Sequence, residues 1–365
     1  MLDFVRSSAD RLGKSKSHEQ DTPVELQSLI EGLSDPAAYE PASGQPVVRQ
    51  THISVVFLTS ELAYKTKKPV RLRFLDYSSL ALRRHFCEEE VRLNRRLAPG
   101  VYLGVVPVTW DGVRLHVEQA GSVVEWAVKM RRLPEEATLS AILDREEPSP
   151  GLIEKLAARI AAFHAAAKRS PEIAALCRFD GVAGLVQENL KDAASLVGSI
   201  IDAPLFRRLE ALTEKRLLEL QRLFDERALR GIPCDAHGDL RLEHVYLFPQ
   251  HEPPGDIVVV DCIEFDHRLR ALDPVSDMAF LAMELLLRGR EDLAGLFCRA
   301  YFSASGDAQG AETLPFYVAY RAMVRAKVEA LKAKEPEIAS TDRNRACASA
   351  MSHWMLAIRA LEDRD

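Results

Sequence analysis

HGDLRLEHVYLF, residues 237–248, and DIVVVDCIEFD, residues 256–266, are two short apolar runs, each set beside a cluster of ionisable side chains. The branched and aromatic residues of Val245-Tyr246-Leu247 and Ile257-Val258-Val259-Val260 predict two short strands. Asp239 stands before the first and Asp261 directly after the second, 22 residues on. Carboxylates at the ends of adjacent strands can divide labour, one accepting a hydroxyl proton while the other holds magnesium against phosphate oxygens.

Around this β interruption the chain reads as helix. LIEKLAARIAAFHAAAKR (152–169), GLVQENLKDAASLVGSII (184–201) and LFRRLEALTEKRLLELQRLFDERALR (205–230) precede it, and DMAFLAMELLLR (277–288), LPFYVAYRAMVRAKVEALKAK (314–334) and NRACASAMSHWMLAIRALE (344–362) follow, with apolar spacing near 3.6. Further upstream the pattern is β. HISVVFL (52–58) and LAYKT (62–66) flank the turn-like TSE and predict a hairpin, and GVVPVTW (104–110), VRLHVEQ (113–119) and VEWAVKM (124–130) are strand candidates. One helix, SLALRRHFCEEEVRLNRRLA (79–98), separates the two groups and ends at Pro99-Gly100. The expected class is α+β: a five-stranded antiparallel lobe with one helix over 23–133, and a mainly helical lobe over 134–365. Residues 1–22 are polar and read as a flexible arm, and a short helix is expected from about Val24 to Leu33.

The chain has 365 residues, 47% hydrophobic and 28% charged, which excludes a disordered tail or a small disulfide scaffold. Its 48 basic against 54 acidic side chains, net −6, provide no global positive field for nucleic acid or an anionic membrane. The six cysteines never form a C-x-x-C pair, which argues against a zinc knuckle and for a reducing compartment. No signal sequence or run of about 18 apolar residues is present, so a cytoplasmic protein is expected. Gly13-Lys14-Ser15 fails as a phosphate loop because Ser8 stands where the first glycine is required.

The HGD loop followed by a strand ending in aspartate resembles the aminoglycoside and choline phosphotransferase superfamily, which has the bilobal protein-kinase-like fold. Phrases of a bacterial subgroup often fused to a P-loop kinase domain run along residues 24–360, among them AYKTKKPV, EEEVRLNRRLAPG, EWAVKMRRLP and DCIEFDHRLRALDPVSDMAFL. The resemblance implies an ATP-dependent transfer of the γ-phosphoryl group to a hydroxyl of a small molecule, with Mg2+ or Mn2+. His237 and Asp239 would be catalytic, Asp239 as the base, and Asp261 the metal ligand. Asp277 would support the loop from below. Lys65 or Lys67 would reach the phosphates, held by Glu90, and Met130 and Arg132 would lie in the adenine-binding linker between the lobes.

The superfamily's metal-binding asparagine is replaced by His244, five residues after Asp239. Imidazole suits softer metals, so this site would shift toward manganese or draw on Glu243 or Glu264. No G-x-G-x-x-G precedes the hairpin, which leaves the amides near Thr59 and Ser60 as the expected phosphate cradle. His164 reads as a packed or capping side chain, while Tyr320, Arg321 and Arg325 read as interhelical groups or as part of an acceptor site. The acceptor pocket is expected from residues 178–230 and the C-terminal helices. Two alternatives stand beside the enzyme: a catalytically weak or inactive nucleotide-binding regulatory protein, and a metallohydrolase using His237, Asp239, His244 and Asp261.

Overall fold

The computed structural model describes residues 25–40, 44–72, 75–334 and 338–362, so the N-terminal arm lies outside the described residues. The first strands follow the alternation in the sequence: β1 is Val47–Gln50, β2 Ser54–Leu58 and β3 Leu62–Lys67. Two-residue strands β4, Arg71–Leu72, and β5, Leu75–Asp76, then form a ribbon of their own, and the helix Leu80–Asn94 follows. Ser79 caps that helix by accepting from the Leu82 amide at 3.2 Å. After it come β6, Tyr102–Trp110, β7, Leu115–Val117, and β8, Ser122–Arg131.

These strands build one antiparallel sheet in the order β1-β2-β3-β8-β6-β7. The sheet has six strands where five were expected. Val47–Gln50 forms a separate, mostly exposed edge strand because Arg49 and Gln50 give it little to bury. One face of the sheet, with Val55, Phe57, Tyr64 and Ala127, packs on Leu29 and Leu33 of the helix Leu26–Ser34. The other face, with Tyr102 and Val128, packs on Cys87 and Val91 of the Leu80–Asn94 helix. That helix is tied to β8 by the buried Arg83–Glu125 ion pair, 2.7 Å.

The remainder is helical. Pro274–Leu287 is apolar nearly all round and accordingly runs through the middle, with neighbours that include the helices Glu291–Ser305, Leu314–Ala333 and Ser340–Glu362. The periodicity over 205–230 suggests one helix, but the structure has two, Ala203–Glu219 and Gln221–Leu229, divided at Leu220. The second is turned inward by tertiary contacts. Phe224 meets Phe316 at 5.3 Å between ring centroids, and the buried Arg227 guanidinium grips Asp273 and Asp307. Asp273 caps the Pro274–Leu287 helix, so Arg227 fixes the start of that central helix.

Two small antiparallel ribbons carry the segments quoted at the outset. Strand β9, Cys234–Asp235, pairs with β12, Ala271–Leu272, and β10, Val245–Leu247, pairs with β11, Ile257–Val259. Residues 236–244 and 260–270 are thereby the loops at the ends of these ribbons. Val258 of β11 packs in the same cluster as Val128 and Val91, which fixes the two loops against the sheet.

Candidate active site

Strand alternation places Ala63, Lys65 and Lys67 on one face of β3, across from Met130 and Val128 of β8. Both lysines reach Glu90 of the Leu80–Asn94 helix. Beyond Glu90 they diverge. Lys65 Nζ lies 2.9 Å from Glu90 Oε1 and 2.8 Å from Asp261 Oδ1, whereas Lys67 turns inward to Glu264, which also accepts the Tyr77 hydroxyl at 2.6 Å. Burial opposes charge on Lys65, but Asp261, Glu90 and Glu264 outweigh it and hold its pKa well above the usual value. Lys65 in turn holds Asp261 well below the usual carboxylate range.

The two lysines, equivalent in the sequence, differ in depth. The Lys65 side chain retains 14% exposure beside Asp261, which is 45% exposed, while Lys67 is 1% exposed. Glu264, one of the two acids considered as an alternative metal ligand, is buried and engaged by Lys67 and Tyr77. Asn94, one helical turn after Glu90, completes the support. It donates to the Glu90 carbonyl at 2.9 Å and accepts from the Cys262 amide at 2.9 Å. The i, i+4 spacing of Glu90 and Asn94 was visible in the sequence, but nothing there shows what Asn94 meets.

The HGD loop is held from beneath. Asp277, fully buried, accepts from the amides of His237 at 3.0 Å and Gly238 at 2.8 Å and from His164 Nε2 at 3.0 Å. Burial opposes its ionisation, yet these bonds, with His164 foremost, place its pKa well below the usual range. The Tyr301 hydroxyl is hydrogen-bonded to the other nitrogen of His164 at 2.8 Å. Arg321 adds bonds to the carbonyls of Ser276 and Gly238. Gly238 adopts φ +90°, and a Cβ there would stand 2.9 Å from the Leu269 carbonyl, so the sharp turn requires glycine. Asp261 itself has φ +65°, uncommon for a residue with a side chain.

His237 and His244 have different roles. His237 is 1% exposed, donates through Nε2 to the Val260 carbonyl at 3.0 Å and accepts at Nδ1 from the Asp239 amide at 3.3 Å. Burial lowers its pKa to about 4, consistent with a neutral ring. Both of its ring nitrogens are thus engaged with the backbone of the two loops. His244 donates through Nδ1 to the Asp239 carbonyl at 2.8 Å, and its Nε2 lies 3.7 Å from Asp261 Oδ2. Asp239 Oδ2 lies 3.6 Å from the same ring, so one imidazole separates the two carboxylates. Glu243 stands at 3.6 Å from Nε2, more exposed than either aspartate.

In the Thr59–Leu62 turn the amides of Thr59 and Leu62 are bonded within the turn, and the Arg132 guanidinium donates to the Thr59 carbonyl at 2.7 Å while the Arg132 amide donates to the Glu61 carbonyl. Arg132 therefore anchors the linker. The turn that lies by Lys67 is Thr51–Ser54, since Ser54 is the cross-strand partner of Lys67. Between Val182, Leu185, Ser276 and Tyr320 lies a hollow of about 30 Å³, room for a water or two.

The fold has counterparts. Over 90% of the chain and 99% of the other, the structure superposes on an aminoglycoside 2'-phosphotransferase-IIIa in its GDP complex, with TM-score 0.55 and 13% identity. The fold is that of the protein-kinase-like phosphotransferases. An amicoumacin kinase in complex with AMP-PNP and Ca2+ is similar over 91% of this chain and 94% of that one, with TM-score 0.51 and 12% identity. In sequence, the chain is 33% identical over 324 residues to uncharacterized proteins of Mycobacterium tuberculosis and Mycobacterium bovis. The match covers 88% of this chain but 61% of those relatives' length. No family model matches. Within the kinase-like fold, β3, the Leu80–Asn94 helix and the two β ribbons bring Lys65, Glu90, Asp239 and Asp261 near one another, while Met130 and Arg132 lie further along β8 and its exit.

Proposed function

We propose that the protein is an ATP-dependent phosphotransferase acting on a hydroxyl of a small molecule. The observation that carries this reading is Lys65 of β3 reaching both Glu90 and Asp261, with Asp239 one imidazole away. GDP and AMP-PNP in the similar structures support nucleotide binding at such a site. In the proposed step the acceptor oxygen forms a bond to the γ-phosphorus, the bond from that phosphorus to the bridging oxygen breaks and ADP leaves, and the hydroxyl proton passes to Asp239. Lys65, released from Asp261, turns to the phosphate oxygens while Glu90 keeps it in place.

A divalent ion fits this donor set. Asp261 is exposed, His244 presents Nε2 beside it, and the Asp239 carbonyl fixes the ring through its other nitrogen, the orientation typical of a ligating histidine. Among the described residues no three His, Cys, Asp or Glu side chains are grouped to hold an ion by themselves, so phosphate oxygens would have to complete the shell. Asp261 and His244 would hold Mg2+ or Mn2+, the ion supplying neutralisation of the phosphate charge.

Transfer assayed with Mg2+ and with Mn2+ across hydroxyl-bearing acceptors tests the proposal. Phosphorylation of an acceptor with loss of activity in Asp239→Asn supports it. One observation favours a second reading, nucleotide binding with little or no transfer: His244 replaces an oxygen donor beside Asp261. Nucleotide binding without turnover in either metal selects that reading.

A further inference from the structure

We infer that the cleft between the C-terminal end of the Leu80–Asn94 helix and the helix Pro150–Ala166 binds a small amphiphilic anion, a carboxylate or phosphate on an apolar body, and that its occupancy is felt at the proposed nucleotide site. The cleft encloses roughly 340 Å³, within the range of small-molecule sites. Its walls are apolar at Leu97, Ala162, Phe163 and Ala166 and cationic at Arg96 and Arg159. The two arginines differ in how they are satisfied. Arg159 Nε is buried without a hydrogen-bond partner, and among the described residues no carboxylate pairs with this guanidinium. A buried donor left unpaired is costly and rare, and a ligand oxygen is the partner this donor lacks.

The near carboxylate does not serve that purpose. Asp235 is shared between Arg96 at 3.4 Å and Arg270 at 2.9 Å. The carbonyls ending the Pro150–Ala166 helix, which would repel an anion, are covered by Arg169, whose guanidinium donates to the carbonyls of His164, Ala165 and Ala167 at 2.9–3.0 Å. The cleft is thus positive on balance. Its hydrocarbon surface selects against a bare inorganic ion and for a head group carried on an apolar body.

Arg96 links this cleft to that site. Lying 5.0 Å over the Phe163 ring, it donates to the carbonyls of Asp235 at 2.6 Å and Ala236 at 3.0 Å and contacts Cys262 Sγ at 3.2 Å. Ala236 directly precedes His237 and Cys262 directly follows Asp261, so one guanidinium braces both loops from behind. An anion in the cleft competes with Asp235 for Arg96 and shifts that brace.

The full chain is titrated with 4-phenylbutyrate and with phenyl phosphate, with 4-phenylbutyramide as the uncharged control, by calorimetry and ligand-observed NMR. We expect saturable binding of at least one anion, at least tenfold weaker binding of the amide, and at least tenfold weaker anion binding in Arg159→Gln with an unchanged melting temperature. Ala162→Phe, which fills the cleft, is expected to abolish binding and guards against a misfolded arginine variant. Absence of binding by both anions, or binding indifferent to probe charge and to Arg159→Gln, overturns the site. The regulatory half predicts at least a threefold change in ADP affinity at saturating anion, and no change overturns that half. Anion binding is read without nucleotide, so its outcome is separate from that of the phosphotransferase proposal.

Discussion

At the residue scale the site turns on which charged groups remain reachable. Asp239→Asn keeps the loop's shape but removes the proton acceptor, so transfer should fall by about 10²–10⁴-fold while nucleotide affinity stays within about threefold, measured by coupled assay and calorimetry. The two lysines should separate by phenotype. Lys65→Met is expected to weaken nucleotide binding by about tenfold or more in a folded protein, because Lys65 alone contacts the exposed Asp261. Lys67→Met leaves buried Glu264 and its neighbour Glu90 short of a cation, and should cost about 3–5 kcal/mol in denaturant unfolding. The reverse pattern would overturn the assignment of depth to the two side chains.

At the scale of single elements, the HGD loop is a turn whose conformation is set from below. Gly238→Ala meets the Leu269 carbonyl and a positive φ, and is expected to lower stability by about 1–3 kcal/mol and to reduce transfer with it. The same loop predicts a pH dependence. His237 is held neutral with a pKa lowered from 6.5 to about 4, so between those values the unfolded chain binds the proton and the folded chain does not. Its contribution to stability is present above pH 6.5 and is lost as pH falls toward 4, by on the order of 3 kcal/mol. Unfolding curves for the wild type and His237→Asn should differ in slope over that window and run parallel below it; parallel curves throughout would show that His237 does not titrate in this way.

For the whole molecule, the site exists only where sheet, Leu80–Asn94 helix and the two β ribbons meet, so ligand binding should stabilise all three together. With AMP-PNP and Mn2+ at about one hundred times their dissociation constant, unfolding is expected to require about 2.7 kcal/mol more, a rise of several degrees in melting temperature. Asp261→Asn should remove the part of this rise that depends on metal. A nucleotide effect equal with and without metal in the wild type would argue against Asp261 and His244 as the ion's ligands.

Much of this was legible in residue order. The alternation through β2 and β3, the Ser79-capped helix, the apolar runs ending near Asp239 and Asp261, and the 3.6-residue periodicity beyond Pro134 are local signals, because strand and helix faces repeat at fixed intervals along the chain. They placed Asp239 and Asp261 at strand ends, and the resemblance to the phosphotransferase superfamily added Glu90 to them. Local order could not show that Lys65 and Lys67, on one face of one strand, divide between an exposed and a buried carboxylate, or that His237 has both nitrogens occupied while His244 offers one. Nor could it show that Thr59 closes on its own turn, that the helix after Ala203 breaks at Leu220, or that Arg159 faces an apolar cleft unpaired. Each of these depends on groups distant in the chain, and burial, ion pairing and hydrogen bonding between them are decided only when the elements pack.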